Sequence, residues 1–545
     1  MKYLFLLLIF CAQFVSAQKM KKDEKETLNN LTNHISFLSS DLLQGRRAGS
    51  EGERAAAIYI INEFQKTGLT SILSNNEYRQ HFDIDEGKEM GANSHLIINE
   101  NELTLNSDFF SLPFSGVGYT EAATALMLKE KGGPWFLNVA ELLEKNKNNP
   151  HYNLTDDLKS KAEEATKMGA TALFIYNTGA IDDNLKFEPK AKDTPLNIPV
   201  VYLSKSVAQK YLMDETMLLD IKLKIVLNAK KRIANNIIGY INNNAPNTIV
   251  IGAHYDHLGY GEDHNSLYSG TEASIHNGAD DNASGVGAMI ELAKALKNLK
   301  LKNNNFVFIA FSGEELGLFG SKYFTENSPI DLSTVNYMIN LDMIGRLNDS
   351  TMGLTIGGVG TSPAWGGLLT QKKNCFNIKT DSSGVGPSDH TSFYRKNIPV
   401  LFFFTGIHSD YHKPSDDADK INYTGELKIV QYILNIVKQS DDKEKLTFTK
   451  TKESTITGKS SFKVTLGIMP DYTFTGNGVR ADGISEGKIA QRIGMKAGDI
   501  LIQLGDFPFV DVQGYMEVLS KFKKGDSTKV KVMRGGETIY FDVTF

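Results

Sequence analysis

Two adjacent carboxylates, Asp280 and Asp281, stand among residues with almost no side chain in GADDNASG, residues 278–285. Asp, Asn and Ser are ordinary helix N-cap residues, and acids are stabilised by the positive end of a helix dipole, so capping is the first reading. Four other short segments gather further titratable groups: HYDH after IVIGA, SGEE after FVFIAF, Asp342 after YMINL, and HSDYHKPSD after VLFFFTGI. His254 and Asp256 stand two apart in an extended run and therefore face the same side. A carboxylate beside an imidazole fixes its tautomer and raises its basicity as a metal ligand, which gives Asp256 an orienting role. Glu314 and Glu315 are adjacent, so their side chains diverge: one can bind metal while the other holds a water.

As a set, His254, Asp280, Glu315, Asp342 and His412 offer two imidazoles and three carboxylates, a nitrogen and oxygen shell suited to zinc and also to cobalt or manganese. Two divalent cations bring +4, the three carboxylates −3 and a bridging hydroxide −1, so such a site is neutral. That arithmetic gives the doubled acid a use. A carboxylate that bridges two metals must sit on sharply bent backbone, with small neighbours leaving room.

The elements that must position these groups follow an α/β rhythm. Apolar spacing predicts helices over residues 28–43, 52–67, 287–299 and 318–324, and strands over 248–253, 306–311, 337–341 and 399–404. Alternation of this kind argues for a three-layer αβα sandwich with a mostly parallel sheet, and ligands of open α/β sheets bind at the carboxyl edge of the strands. HYDH, SGEE, Asp342 and HSDYHKPSD lie just past strand ends, and GADDNASG lies between the first two of them. The helix over 287–299 carries Met289, Leu292, Ala293 and Leu296 on one stripe, which is core packing. Between residues 107 and 227 the texture changes to short β-like runs and reads as an insertion, leaving 18–106 and 228–440 as one split domain. The polar run 441–460 reads as a linker, and residues 461–545 form a last β-rich unit.

A chain of 545 residues suggests roughly two to four domains. With 23% charged residues, a net charge of −5 and no basic stripe, it gives no electrostatic reason to expect nucleic acid. MKYLFLLLIFCAQFVSAQ is built like a secretory signal peptide, residues 1–17, with cleavage after Ala17. Its apolar run is shorter than the roughly 20 residues needed to span a bilayer, and no later segment is apolar enough. The expected location is secreted or periplasmic. The mature chain then keeps only Cys375 and forms no internal disulfide.

GAHYDH, GADDNASG, SGEELGLFGS, LDMIG, GPSDHTSF and YHKPSD, in this order, resemble the cocatalytic zinc exopeptidases that include bacterial leucyl aminopeptidases and glutamate carboxypeptidase, with glutaminyl cyclases as relatives. The early GRRAGSEGE looks like the opening of that family. The resemblance implies two zinc ions per chain. It makes His254, Asp280, Glu315, Asp342 and His412 the metal ligands, with Asp280 bridging both ions and Asp281 shaping the turn. It makes Glu314 the general base and Asp256 the acid that orients His254. The implied activity is a metallo-aminopeptidase hydrolysing N-terminal residues of peptides by a metal-bridged hydroxide; a carboxypeptidase, a glutaminyl cyclase or a non-enzymatic peptide-binding protein are the alternatives. A binder has no use for a general base, which favours the enzyme.

Residues 107–227 resemble the protease-associated domain through KAEEATKMGATALFIYN and NIPVVYLSKSVAQKYL, and residues 461–545 resemble a PDZ domain through LGIMPDY, AGDILIQLGD and VKVMRGGE. A PDZ fold implies a peptide C-terminus as partner, with structural packing as the rival role. Asp389 and His390 read as supporting or structural groups, Tyr411 as a packed ring, and His257, His264, His276 and His408 as polar loop residues.

Overall fold

The computed structural model describes residues 20–149, 152–189, 191, 193–263, 265–268, 270, 272–299, 301–370, 375–451, 464–470, 474, 476–484, 488–510 and 512–545. The expected signal peptide, residues 452–460 of the expected linker and His264 lie outside these residues. The chain divides into two units, one of residues 1–81 and 235–460 and one of residues 82–234 and 461–545.

The first unit is built on an eight-stranded mixed sheet with helices against it. Four strands form its parallel centre, in the order Asn304–Phe311, Asn247–His254, Val335–Leu341 and Val400–Phe404. All but two of their residues, Asn247 and Phe404, are buried, as expected for strands covered on both faces. Antiparallel strands flank this centre: Leu227–Ile241 pairs with Asn304–Phe311 on one side, and Gly353–Gly357 pairs with Val400–Phe404 on the other. Because the four central strands run the same way, residues 254, 311, 341 and 404 end at one edge.

Helix Gly285–Leu299 buries Met289, Leu292, Ala293 and Leu296 in the core, as its spacing requires. Helix Glu51–Thr67 starts where Ser50 Oγ accepts from the Glu53 amide and stops at Gly68 in the left-handed region. The first helix spans Lys22–Leu38 rather than 28–43: it ends before a 3-10 segment, Asp41–Arg46, in which Gln44 and Gly45 take positive φ. Apolar spacing continues through that turn while the backbone does not.

Residues 82–234 carry two four-stranded sheets with their own cores. Strand His95–Ile98 pairs with Leu218–Ile225, so residues before 107 already belong to this unit. The described residues within 461–545 form a further sheet over a separate core that includes Leu466, Val479, Leu501, Leu504, Val530 and Val532. Among the described residues no helix is long and apolar enough to cross a membrane.

Candidate metal centre

The parallel edge delivers the chemistry. His254 is the last residue of its strand and pairs with Phe311, so HYDH and SGEE emerge side by side. Asp342 follows Leu341 directly, its amide donating to Phe403 O (3.2 Å) of the neighbouring strand, which leads on to His412. The SGEE turn is tight: the amides of Gly317 and Leu318 both donate to Glu314 O, at 2.8 and 3.0 Å.

GADDNASG is the fifth contributor, and its backbone is held from three directions. Asp416 Oδ2 accepts from the amides of Asp280 (2.9 Å) and Asp281 (3.0 Å). Asn282 Nδ2 donates to Leu341 O (2.9 Å), and Asn282 Oδ1 accepts from the amides of Gly285 and Met343. Gly278 has φ +58°, and a Cβ there would meet Asp281 O at 2.2 Å; a Cβ at Gly285 would meet Leu341 O at 2.5 Å. The turn has no room for larger residues at either end.

This turn reverses one expectation. Asp280 does not face the site's other ligands; its carboxylate accepts from the Gly345 amide (2.7 Å) and Ser284 Oγ (3.1 Å) and meets His408 Nε2 at 3.1 Å. The carboxylate that lies between the two histidines is that of Asp281: Oδ1 is 3.3 Å from His254 Nε2 and Oδ2 is 3.4 Å from His412 Nε2. Adjacent residues on bent, extended backbone point opposite ways, and the Gly345 amide, Ser284 and His408 hold Asp280 on the far side. His408 is thus a partner of Asp280 rather than a free loop residue.

Around Asp281 the remaining groups fall into two sets. His254 Nε2 is also 3.4 Å from Asp342 Oδ1, and His412 Nε2 is 3.2 Å from Glu315 Oε2. His254, Asp281 and Asp342 can hold one metal ion, and Glu315 and Asp281 share a second group with His257, whose Nδ1 lies 2.7 Å from Glu315 Oε1. Both expected histidine ligands have the tautomer that coordination needs. His412 Nδ1 lies 2.9 Å from Asn265 O and His254 Nδ1 3.2 Å from Asp256 O, so each Nδ1 is placed to donate to a carbonyl and each Nε2 is the nitrogen turned to the carboxylates. The nearer contact of Asp256 to His254 is therefore its backbone oxygen. Its carboxylate stands 3.9 Å from His254 Nδ1 and accepts from the Glu314 amide at 3.2 Å.

The electrostatics test whether a cation fits. Burial acts to lower the basicity of His254 and His412, yet Glu314 and Asp342 around the one, and Glu315 and Asp281 around the other, raise both well above the usual histidine range. Burial opposes the charge on Glu315, but His412 and His257 bring it down to about 2. A cluster that binds positive charge this strongly, through nitrogen and oxygen donors, fits divalent metal. Glu314 differs: desolvated in a largely enclosed place and facing Asp342 and Glu315, it is held well above the ordinary carboxylate range, with Oε2 4.0 Å from His254 Nε2.

The groups behind the ligands were mostly invisible in the sequence. Ser388 Oγ donates to Asp342 Oδ2 (2.8 Å) and accepts from Asn340 Nδ2 (2.7 Å), which fixes the Asp342 carboxylate. We expect Ser388→Ala to weaken metal binding by about 10–100-fold with the fold retained, measured by competition with a chelator and by circular dichroism. Unchanged affinity would show that Asp342 needs no such support. Arg46, in the early GRRAGSEGE, is fully buried: its Nε donates to Tyr255 O (2.8 Å), its Nη1 to Leu38 O and to Asn277 O (2.7 Å), and its Nη2 to Gly278 O (3.0 Å). One side chain thereby registers the HYDH loop against the start of GADDNASG. Seven positions on, Glu53 accepts from Tyr255 Oη (2.8 Å) and the Asn235 amide (3.0 Å).

The remaining candidates have structural places. The His390 ring stacks on Phe402 at 4.6 Å, and burial pushes its basicity down to about 3. Tyr411 stacks on His412 at 3.9 Å. His276 meets Ser266 Oγ at 2.7 Å and Ser274 O at 3.0 Å. Asp389 is buried, and desolvation raises it to about 7. Cys375 is a free, exposed thiol.

Residues 236–437 match Peptidase family M28. Over 274 residues the chain is 27% identical to aminopeptidase YwaD of Bacillus subtilis (strain 168), a stretch covering 48% of this chain and 55% of that protein. Over 401 residues it is 23% identical to leucine aminopeptidase 2 of Trichophyton rubrum, covering 68% and 70% respectively. A solved structure of BSAP, a zinc aminopeptidase from Bacillus subtilis, superposes with a TM-score of 0.42 at 21% identity, covering 77% of this chain and 98% of that one. The chain spans about half the length of the first of these curated relatives.

Proposed function

We propose that this chain is a secreted, zinc-dependent aminopeptidase that removes N-terminal residues from peptides. The observation that carries the reading is the Asp281 carboxylate set between His254 with Asp342 and His412 with Glu315, beside the largely enclosed Glu314. All six residues fall inside the stretch that matches Peptidase family M28. The aminopeptidase names of the bacterial and fungal relatives favour the N-terminal end of the substrate.

In this reading His254, Asp281 and Asp342 hold one zinc ion, and Asp281, Glu315 and His412 the other. When bound, zinc makes water acidic and polarises a carbonyl oxygen. The chain's own part is proton transfer and alignment. Glu314 takes a proton from the attacking water and returns it to the leaving amine, a role that its place beside His254 and outside both metal-holding groups allows. Asp256 steadies this base through the Glu314 amide and His254 through its own carbonyl.

Residues 107–227 are proposed to be a protease-associated domain, consistent with their β-rich sheets, and residues 461–545 a PDZ domain. In the latter, strand Ile468–Pro470 lies at the end of its sheet, where a peptide can add as a further strand with its C-terminal carboxylate near Leu466 and Gly467. Export through the N-terminal stretch belongs to the same proposal.

The test is mass spectrometry of zinc-loaded protein incubated with one peptide pool supplied in free and N-acetylated forms. Stepwise loss from free N-termini alone establishes the aminopeptidase. Trimming of acetylated peptides from their C-termini would make the chain a carboxypeptidase, and intact pools would return the cyclase and binding-protein readings.

A further inference from the structure

The last residue of HYDH is not used by the reading above, yet it is among the most enclosed groups at the site. The His257 side chain is 0% exposed, and its Nδ1 lies 2.7 Å from Glu315 Oε1. Its ring lies against Gly278, where a Cβ would meet His257 Cδ2 at 2.5 Å, and its amide donates to Arg46 O at 3.1 Å. Its Nε2 is buried with no hydrogen-bond partner among the described residues. The ring therefore has one short polar contact, and that contact is a candidate metal ligand.

We propose that His257 is a positioning residue for Glu315, holding one carboxylate oxygen so that only the other reaches the metal bound with His412 and Asp281. This rests on the two-metal reading. The two oxygens of Glu315 are divided between two imidazoles: Oε1 faces His257 Nδ1, and Oε2 faces His412 Nε2 at 3.2 Å. An Oε1 that accepts an N–H over 2.7 Å is turned toward His257, which favours binding of the ion through Oε2. A carboxylate free to bind through both oxygens fills two coordination positions, whereas a catalytic zinc site needs one left open. His257 thus keeps a position open for water or the substrate amine.

His257 itself as a ligand is the competing arrangement, since its group with Asp281 and Glu315 is compact enough to hold an ion. The short contact argues otherwise, because Nδ1 is already engaged by Glu315 Oε1. His412 is better prepared, with Nδ1 on a carbonyl and Nε2 free.

The experiment uses the full chain and its His257→Ala and His257→Gln variants, stripped of metal and titrated with zinc against a chromophoric chelator, then examined by zinc X-ray absorption. With His257→Ala we expect one of two zinc affinities to fall about 10–100-fold while the other holds, with the number of imidazoles per zinc unchanged. His257→Gln, whose amide N–H can donate to Oε1, should recover most of the loss. Both affinities unchanged, both falling together, or an imidazole lost from the zinc shell without rescue by Gln would each overturn the proposal. A native chain binding fewer than two zinc ions would overturn the two-metal reading itself, and this proposal with it.

Discussion

Replacing Glu314 by Gln is expected to reduce peptide turnover by about 10²–10⁴-fold while leaving the bound zinc unchanged. The variant keeps the shape of the side chain and removes its capacity to take a proton. Glu314 is not part of either metal-holding group, so metal content should not follow activity. Its carboxylate also lies in a place where burial and two neighbouring acids favour the protonated form, so a neutral amide there is no burden on the fold. Activity near the native level would remove Glu314 as the base; zinc lost in parallel with activity would make it a ligand. Metal analysis and steady-state kinetics on the same preparation separate the two outcomes.

The second large effect distinguishes two neighbours. Asp281→Asn should leave at most one tightly bound zinc and cost several kcal/mol of transition-state stabilisation, roughly 10³-fold in rate. Asp281 is the group whose two oxygens face His254 and His412, and among the described residues it is the one common to both metal-holding groups. Asp280→Asn should retain two zinc ions. Its cost falls on stability, about 1–3 kcal/mol, because the Gly345 amide, Ser284 and His408 lose a charged acceptor inside the protein. Zinc stoichiometry and denaturant unfolding of the two variants give the comparison. Zinc lost from the Asp280 variant and kept in the Asp281 variant would restore the opposite assignment.

These two aspartates mark how far the sequence could be read. GADDNASG announced a bent, crowded turn with an acid facing inward, and Gly278 and Gly285 bear that out through the contacts a Cβ would make. Which acid faces inward depends on Gly345, Ser284 and His408, residues up to 128 positions away that become neighbours only in the fold. His257 was passed over for a similar reason. A histidine at the end of a loop motif looks the same whether it points to solvent or, as here, to Glu315. Arg46 gave only a basic, turn-like signal, although its guanidinium reaches carbonyls 209, 231 and 232 positions along the chain.

Domain boundaries show the same limit. Residues 95–98 pair with Leu218–Ile225, and this pairing places them with residues 82–234. Pairing across more than a hundred residues leaves no local trace.

By itself the sequence determined the α/β alternation, the buried helix stripe and the five loops that carry the titratable groups. Those are consequences of local periodicity and of parallel strands ending at a common edge. Tertiary structure alone decided which oxygen and which nitrogen face the centre: Asp281 over Asp280, Nε2 of both histidines, and one oxygen of Glu315. Side-chain direction is set by hydrogen bonds from distant backbone, and those partners exist only once the sheet has brought the loops together.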